Sequence, residues 1–257
     1  MSYWQDRMAQ TQANLTEKSI RQTEKQLKKY YAAAMKKTIE DFEDTYARIL
    51  AAKAEGREPT PADLYKLDKY WQSQAQLKAE LQKLGDRQIS LLSKQFELNW
   101  FEIYHSIALP GSDAFNTVDN SLVQQMINQI WCVDGKSWSQ RIWQNNEALA
   151  ATLNEELIHC VATGKKPSDL KKLLQERFNV SFSNADMLVR TEMAHIQTQA
   201  AQKRYEDAGV LEVEIWADED ERRCDVCGEL HQKRYPMGAA VPIPAHPRCR
   251  CCVLPVI

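Results

Sequence analysis

The chain has 257 residues, of which 44% are hydrophobic and 26% are charged, and its formal net charge is −2. A chain of this length forms one large domain or two ordinary ones and needs no disulfide scaffold. The near-neutral charge excludes a protein that is basic throughout, and no run of about 18 apolar residues is present to cross a membrane. The first ten residues lack the apolar core of a secretory signal, so we expect no membrane anchor, no export and a cytoplasmic origin.

Residues 1–110 are predicted to form long helices. The first glycine is at position 56, and apolar side chains recur before it at helical spacing. These side chains are Ile20, Leu27, Ala34, Ile39, Phe42, Tyr46, Ile49 and Leu50. Thr60 is placed as the N-cap and Pro61 as the first residue of a second long helical region. This region runs to about His105, and Gly85 marks the place where it could break.

Residues 17–37 carry an excess of basic side chains, with seven lysines and arginines against two glutamates. Residues 40–44 follow with four acidic side chains. Charge segregation of this kind is typical of a solvated helix face, which is the favoured interpretation. The alternative is that the basic segment 17–37 contacts DNA or docks onto a partner protein.

The second half of the chain continues the helical pattern and then changes character. Four helical segments are predicted, over residues 120–131, 138–163, Ser168 to about Phe178, and Ser183 to Gly209. Gly164 is placed as a C-cap, and Ser168 and Ser183 are placed as N-caps. A half-buried strand follows, because apolar residues alternate with acidic ones over 212–218.

The predicted fold class is mainly α with a C-terminal α+β module. It comprises long N-terminal helices, then a helical region, then a small tail of strand and loop. The domains are predicted as a long-helix region over 1–110, a helical linker domain over 111–182, and a terminal module over 183–257.

Five of the seven cysteines lie from position 224 onward. In a reducing compartment such clustering indicates a metal site before disulfides. A C-x2-C pair and an H-x2-C pair can together close a tetrahedral zinc shell. The predicted ligands are Cys224, Cys227, His246 and Cys249. Cys251 is an alternative to Cys249 or His246, and His231 is a further spare ligand.

The predicted zinc is structural, because enough ligands exist to close the shell and leave no open position for water. Prolines at 242, 244 and 247 support this role, since they stiffen the loop that carries His246. Reduced, partly buried thiols are the alternative to a metal site, and disulfides are a third interpretation. The tail around these cysteines is polar and irregular, so we expect the metal to replace a missing core.

Two other arrangements of residues are candidate sites. Glu156 with His159, and Glu192 with His195, are Glu-x-x-His pairs on helices, as in di-iron carboxylate bundles. Such a centre also needs glutamates from two further helices, and the pairs arise easily by chance in a Glu-rich helical protein. Arg190 and Glu192 of the "RTE" motif are two residues apart and so do not face each other, which predicts different partners for the two charges. The favoured interpretation of this motif is a buried structural ion pair rather than a functional site.

The order of these motifs resembles the Mu F-like family of phage head morphogenesis proteins, also called minor head or minor capsid proteins. The resemblance rests on three motifs: "RTE" at Arg190–Glu192, an acidic stretch before Cys224 and Cys227, and the closing "HPRCRC" at His246–Cys251. It is strongest over residues 185–257 and extends into the helical front. The additional Cys252 departs from the usual end of the family motif.

The resemblance implies a virion component in few copies, bound at the portal vertex and active in head assembly. The implied partners are the portal protein and other head proteins, either scaffold or major capsid, and residues 1–110 would contact them. The protein would act in the bacterial host cytoplasm during assembly, reside in the capsid near the portal, and accompany DNA during ejection. Some relatives carry toxin or ADP-ribosyltransferase extensions. The printed chain stops just past the motif, so we expect no appended enzyme and no turnover.

The competing hypothesis is an enzyme. A zinc-dependent nuclease or hydrolase would use His231 or His195 beside the metal to process phage DNA or head components. A catalytic zinc of that kind keeps one coordination position open to water.

Overall fold

The computed structural model describes residues 3–53, 60–109, 117–217 and 220–256. Over these ranges the elements in chain order are α1 (Tyr3–Lys53), α2 (Pro61–Tyr65), α3 (Asp68–Ser106), α4 (Asn120–Ile127), α5 (Trp138–Thr163), α6 (Pro167–Asp207), β1 (Glu212–Trp216), α7 (Asp225–Leu230), β2 (Arg234–Pro236) and β3 (Cys252–Pro255). The predicted class, mainly α with a small C-terminal α+β module, is confirmed. None of the helices in these ranges combines the length and apolar character that crossing a membrane requires.

Helix α6 corrects two sequence predictions. It is one helix of 41 residues, whereas the pattern indicated two helices with Ser168 and Ser183 as their N-caps. Ser168 is instead the second residue of the helix, after Pro167, and Ser183 lies in its interior. The segment around Ser183 has weak helix propensity, but Phe178 and Ala185 are buried on either side of it. Tertiary packing therefore overrides the local preference for a break.

Other predicted boundaries are confirmed. Thr60 precedes α2 and forms a capping box with Asp63, whose Oδ2 accepts from the Thr60 backbone nitrogen at 2.9 Å. Gly164 follows α5 with a φ of 61°, a left-handed conformation that favours glycine. The break considered at Gly85 is wrong: α3 runs through Gly85, and the predicted region is interrupted instead between Tyr65 of α2 and Asp68 of α3. The ring of Trp143 occupies the space that a side chain at Gly85 would fill.

The chain forms two compact units, and each unit takes segments from separate parts of the sequence. Unit 1 consists of Met1–Glu24, Leu91–Trp138 and Asp186–Ile257, and unit 2 consists of Lys25–Ser90 and Ser139–Ala185. Each unit therefore combines pieces of more than one predicted segment. The assignment of separate roles to residues 1–110, 111–182 and 183–257 stays a prediction.

Unit 2 contains a large apolar core. Of the apolar positions predicted on α1, those from Leu27 to Ile49 are buried. Those from Ala34 to Ile49 pack with Leu77, Leu81 and Leu84 of α3 and with apolar residues of α5 and α6. The 3.6-residue period of α1 thus marks a buried stripe, as predicted.

Unit 1 contains a three-stranded antiparallel sheet in the order β2-β1-β3. Val213 of β1 lies opposite Tyr235 of β2 and Pro255 of β3, and Trp216 lies opposite Cys252. The predicted strand is confirmed at β1. Its partner β3 is buried along its whole length, so the end of the tail has apolar packing of its own.

The first turns of α1 cover this sheet. Ala9 and Met8 pack against Cys252 and Leu254, and the amide of Gln5 donates to Glu214 Oε1 at 2.8 Å. Glu214, on the face that the alternation predicted to be exposed, is consequently only 8% exposed. The first part of the N-terminal helix, up to Glu24, is therefore part of the unit that carries the terminal module.

Candidate metal centre and the motifs around it

The C-x2-C pair lies at the beginning of α7. Cys224 is the N-cap residue, and its sulfur accepts a hydrogen bond from the backbone nitrogen of Cys227 at 3.4 Å. This hydrogen bond lowers the pKa of the Cys224 thiol below its ordinary value. Cys227 lies one turn further on and is buried, whereas Cys224 is exposed. Burial raises the pKa of Cys227 to about 12 in the absence of a cation.

His246 brings the second half-motif to this pair. Its Nε2 lies 3.3 Å from the sulfur of Cys224 and 3.1 Å from the sulfur of Cys227. Its Nδ1 lies 2.8 Å from the carbonyl oxygen of Pro247, which can only accept. The proton of a neutral His246 is therefore held on Nδ1, and the lone pair of Nε2 faces the two cysteines.

Cys249 and Cys251 complete the cluster from the other side of Cys227. The sulfurs of Cys227 and Cys249 are 3.8 Å apart, and Cys227, Cys249 and Cys251 are all buried within 4.8 Å of one another. Hydrogen bonding from the Cys251 thiol lowers the pKa of Cys249 to about 5. The donor atoms thus form two triplets that share Cys227: one with Cys224 and His246, the other with Cys249 and Cys251. The four predicted ligands are therefore divided between the two triplets.

The cluster could hold a metal ion. In a zinc tetrahedron with Zn–S of about 2.3 Å and Zn–N of about 2.0 Å, two sulfurs lie about 3.8 Å apart and a sulfur and a nitrogen about 3.5 Å apart. The Cys227–Cys249 distance of 3.8 Å equals the first value, and the two distances to His246, 3.1 and 3.3 Å, are slightly below the second. Thiolate and imidazole donors at this spacing suit a borderline-soft cation.

The two histidines considered as alternative site residues, His231 and His195, make contacts away from the cysteine cluster. His231 and His195 belong to neither triplet. The Nδ1 of His231 accepts from the Ala217 backbone nitrogen at 3.2 Å, and its ring contacts that of Trp216. His195 stacks on Trp131, and burial lowers its pKa to about 4.

The two Glu-x-x-His pairs lie in different units. Glu156 of unit 2 accepts from the guanidinium of Arg177 at 2.6 Å. Glu192 of unit 1 accepts from the indole nitrogen of Trp131 at 3.0 Å. Neither pair belongs to a group that could hold a metal among the residues that the structure describes.

The "RTE" motif of α6 contacts the "HPRCRC" loop. The hydroxyl of Thr191 accepts from the backbone nitrogen of Arg248 at 3.1 Å, and the guanidinium of Arg248 pairs with Asp186 at 3.2 Å. Arg190 pairs with Asp186 at 3.2 Å and also approaches Glu17 and Glu24 of α1. The prediction that Arg190 and Glu192 have different partners is confirmed, since Glu192 bonds to Trp131.

The acidic stretch before the C-x2-C pair contacts the same loop. Asp220 accepts two hydrogen bonds from the guanidinium of Arg250, at 2.8 and 2.5 Å. These bonds hold the pKa of Asp220 well below its ordinary range. All three motifs therefore meet at the "HPRCRC" loop: "RTE" at Arg248, the acidic stretch at Arg250, and the C-x2-C pair at His246.

The sequence reasoning missed the roles of Arg248 and Arg250. The signal was present as the alternation of arginine and cysteine at positions 248–251. Alternate residues of an irregular but open segment point to opposite sides, so one set turns inward and the other outward. Cys249 and Cys251 are indeed buried, and both arginines are exposed.

Residues 151–254 match the model of the family described as "Phage Mu protein F like protein". The resemblance predicted from the three motifs is thereby confirmed over this range, which contains the whole cysteine and histidine cluster. Over this range the match supports a phage head-associated protein.

A curated relative is the NAD(+)–arginine ADP-ribosyltransferase EFV of Enterococcus faecalis (strain ATCC 700802 / V583). It is 23% identical over 125 residues, which are 48% of this chain and 25% of the relative. The chain thus spans about a quarter of the length of that enzyme. No solved structure matches the chain.

Proposed function

We propose that this chain is a minor head protein that acts in head morphogenesis by binding the portal vertex. The observation that carries this proposal is the family match over residues 151–254, which covers the cluster and all three motifs that meet there. On this proposal the protein joins the procapsid in the host cytoplasm, resides near the portal, contacts the portal protein and the scaffold or major capsid protein, and accompanies DNA during ejection. It performs no turnover.

We further propose that the cluster holds one structural zinc ion through Cys224, Cys227, His246 and Cys249. The ion would join α7 to the loop that leads into β3. Its support is the donor chemistry and the spacing around Cys227. A closed shell of four protein ligands supplies stability and leaves no position for an attacking water.

Elemental analysis of the reduced, purified protein tests the zinc proposal, with one zinc per chain as the expected result. Cys224→Ser should abolish binding and destabilise the terminal module, whereas Cys132→Ser, a half-buried cysteine outside both triplets, should keep full occupancy. Comparing Cys249→Ser with Cys251→Ser identifies the fourth ligand. A fully ordered module without stoichiometric metal contradicts the proposal.

Portal binding is best tested with the full chain. Deletion of residues 1–110 would remove the α1 turns that pack on β3 and bond to Glu214, so a failure of that fragment would report misfolding. We propose co-expression with the portal protein and co-purification through a tag on this chain. Retention of portal protein is expected, and its absence from the wild-type eluate argues against the proposal.

Exposed aromatic side chains offer sharper variants for this experiment. Trp4 in unit 1 is 64% exposed and Trp71 in unit 2 is 56% exposed, and exposed tryptophans often anchor interfaces. Trp4→Ala and Trp71→Ala should fold normally, and at least one should reduce portal retention. The buried Trp100 is unsuitable, because its replacement would create a cavity.

DNA contact through the basic segment 17–37 is a separate proposal. It rests on seven basic side chains, although Lys18 already pairs with Glu102 and Arg21 with Glu17. Binding of a labelled duplex should weaken steeply as salt rises, because each phosphate contact releases counterions. Affinity that does not change with salt would contradict this proposal.

A further inference from the structure

A cleft of about 850 Å³ lies within unit 1, beside Cys249 of the cysteine and histidine cluster. Residues 13–21 of α1, residues 186–197 of α6 and the "HPRCRC" loop contribute to its lining. The charged lining residues are five arginines and two acids: Arg21, Arg190, Arg222, Arg248 and Arg250, with Glu17 and Asp186. The described lining residues include no lysine and no aromatic side chain. The cleft is therefore selectively lined with guanidinium groups.

These guanidinium groups already bind carboxylates of their own chain. Arg250 and Arg222 both pair with Asp220, and Arg248 pairs with Asp186. The side chains of Arg21 and Arg222 remain 76% exposed, and that of Arg248 remains 50% exposed. Exposed pairs of this type contribute little to stability, so an incoming carboxylate can replace or share the internal one. Each guanidinium has five N–H donors and can serve two acceptors.

We propose that this cleft binds an extended acidic segment of a partner protein. Arg248 and Arg250 are two residues apart, which places their Cα atoms at most about 7 Å from each other. Carboxylates on every second residue of an extended peptide have a similar spacing of about 7 Å. Planar guanidinium groups match carboxylates through paired hydrogen bonds. On this proposal, the arginines of the cleft bind acidic side chains that are two residues apart in the partner segment.

A nucleic-acid strand fits the cleft less well. Single strands bind through aromatic platforms on which bases stack, and the described lining has none. The nearby carboxylates of Glu17, Glu24, Asp186 and Asp220 also offset most of the positive charge at short range. This compensation weakens the long-range electrostatic field that would attract a polyanion. It does not prevent a carboxylate of a partner from replacing a carboxylate of this chain at an arginine.

The test is a fluorescence-anisotropy titration of the purified full chain with a labelled peptide of alternating glutamate and serine. The matching peptide of alternating glutamine and serine is the uncharged control. The acidic peptide should bind, the uncharged one should not, and rising salt should weaken binding. Arg21→Gln and Arg222→Gln lie on different elements, and each should raise the dissociation constant by about tenfold.

Arg48→Gln is the matched control variant. Arg48 is an exposed arginine that pairs with Asp44 on α1, and it belongs to unit 2. It should leave peptide affinity unchanged. Equal binding of the two peptides, or unchanged affinity in both cleft variants, overturns the proposal. A labelled single-stranded DNA that binds the cleft while the acidic peptide does not would assign the site to nucleic acid instead. None of these outcomes depends on whether the portal is the partner.

Discussion

The backbone nitrogen of Arg248 donates a hydrogen bond to the hydroxyl of Thr191, with 3.1 Å between the two atoms. Thr191 itself donates to the carbonyl oxygen of Met187 at 2.7 Å, so its hydroxyl joins the α6 backbone to the "HPRCRC" loop. Arg248 has a φ of 62°, in the left-handed region, and the Cys249 nitrogen bonds back to the His246 carbonyl. The middle residue of "RTE" therefore holds the turn that presents the histidine and cysteines.

Replacement of Thr191 by valine tests this link. Thr191→Val keeps the shape but leaves the Arg248 nitrogen without its acceptor, at a cost of about 1 kcal/mol in the free energy of unfolding. Thr152→Val is the control, because Thr152 makes the same bond to the carbonyl four residues before it on α5. Urea denaturation should show a larger loss for Thr191→Val. Equal losses would mean that the loop does not depend on this bond.

Gly85→Ala should destabilise the protein, although alanine is normally the better helix former. An added Cβ would meet the ring of Trp143, so the substitution should cost about 1 to 3 kcal/mol through overpacking. Gly228 of α7 has no such close neighbour, since its nearest contact is at 3.9 Å. Gly228→Ala should therefore be neutral or stabilising by up to about 1 kcal/mol. Thermal unfolding of both variants checks the opposite signs.

Metal removal should act locally within the terminal module. If zinc is bound, free metal at a thousandfold above its dissociation constant contributes about 4 kcal/mol to stability, and a chelator removes that contribution. The β1–β3 pair is buried and packs on Ala9 and Met8, so it should keep its amide protection. Hydrogen exchange should instead accelerate in α7 and in residues 237–251. Uniform protection with and without chelator would contradict this expectation.

His195 should make stability depend on pH below neutrality. Burial lowers the pKa of His195 to about 4, so the folded state keeps the ring neutral. In the unfolded state the pKa of this histidine is about 6.5. The contribution of the neutral His195 ring to the free energy of unfolding is therefore fully present above pH 6.5 and is lost as the pH falls toward 4. Between pH 7.5 and pH 5 the loss from this residue should be about 1 to 2 kcal/mol.

The variant His195→Phe retains an aromatic ring against Trp131 and cannot titrate. Its stability should fall less than that of the wild type over the same pH range. Urea denaturation at the two pH values measures the difference, and other titrating groups cancel in the comparison. Parallel loss of stability in both proteins would show that His195 is not responsible.

Local patterns in the sequence were enough to predict most elements. The period of apolar residues on α1, the glycine after α5 and the alternation in β1 act over a few neighbouring residues, so they can be read without a structure. The continuity of α6 through Ser183 could not be read in this way. It depends on the burial of Phe178 and Ala185, which distant residues provide.

The sequence by itself determined that a cluster of soft donors lies in the tail, because cysteine and histidine spacing expresses ligand chemistry directly. It also determined the family resemblance through three short motifs. Only the tertiary structure decided that these motifs meet at one loop, that Cys227 is shared by two triplets, and that Glu214 is covered by Gln5. The physical reason is distance along the chain: Thr191 and Arg248 are 57 residues apart, and no local periodicity encodes a contact of that range.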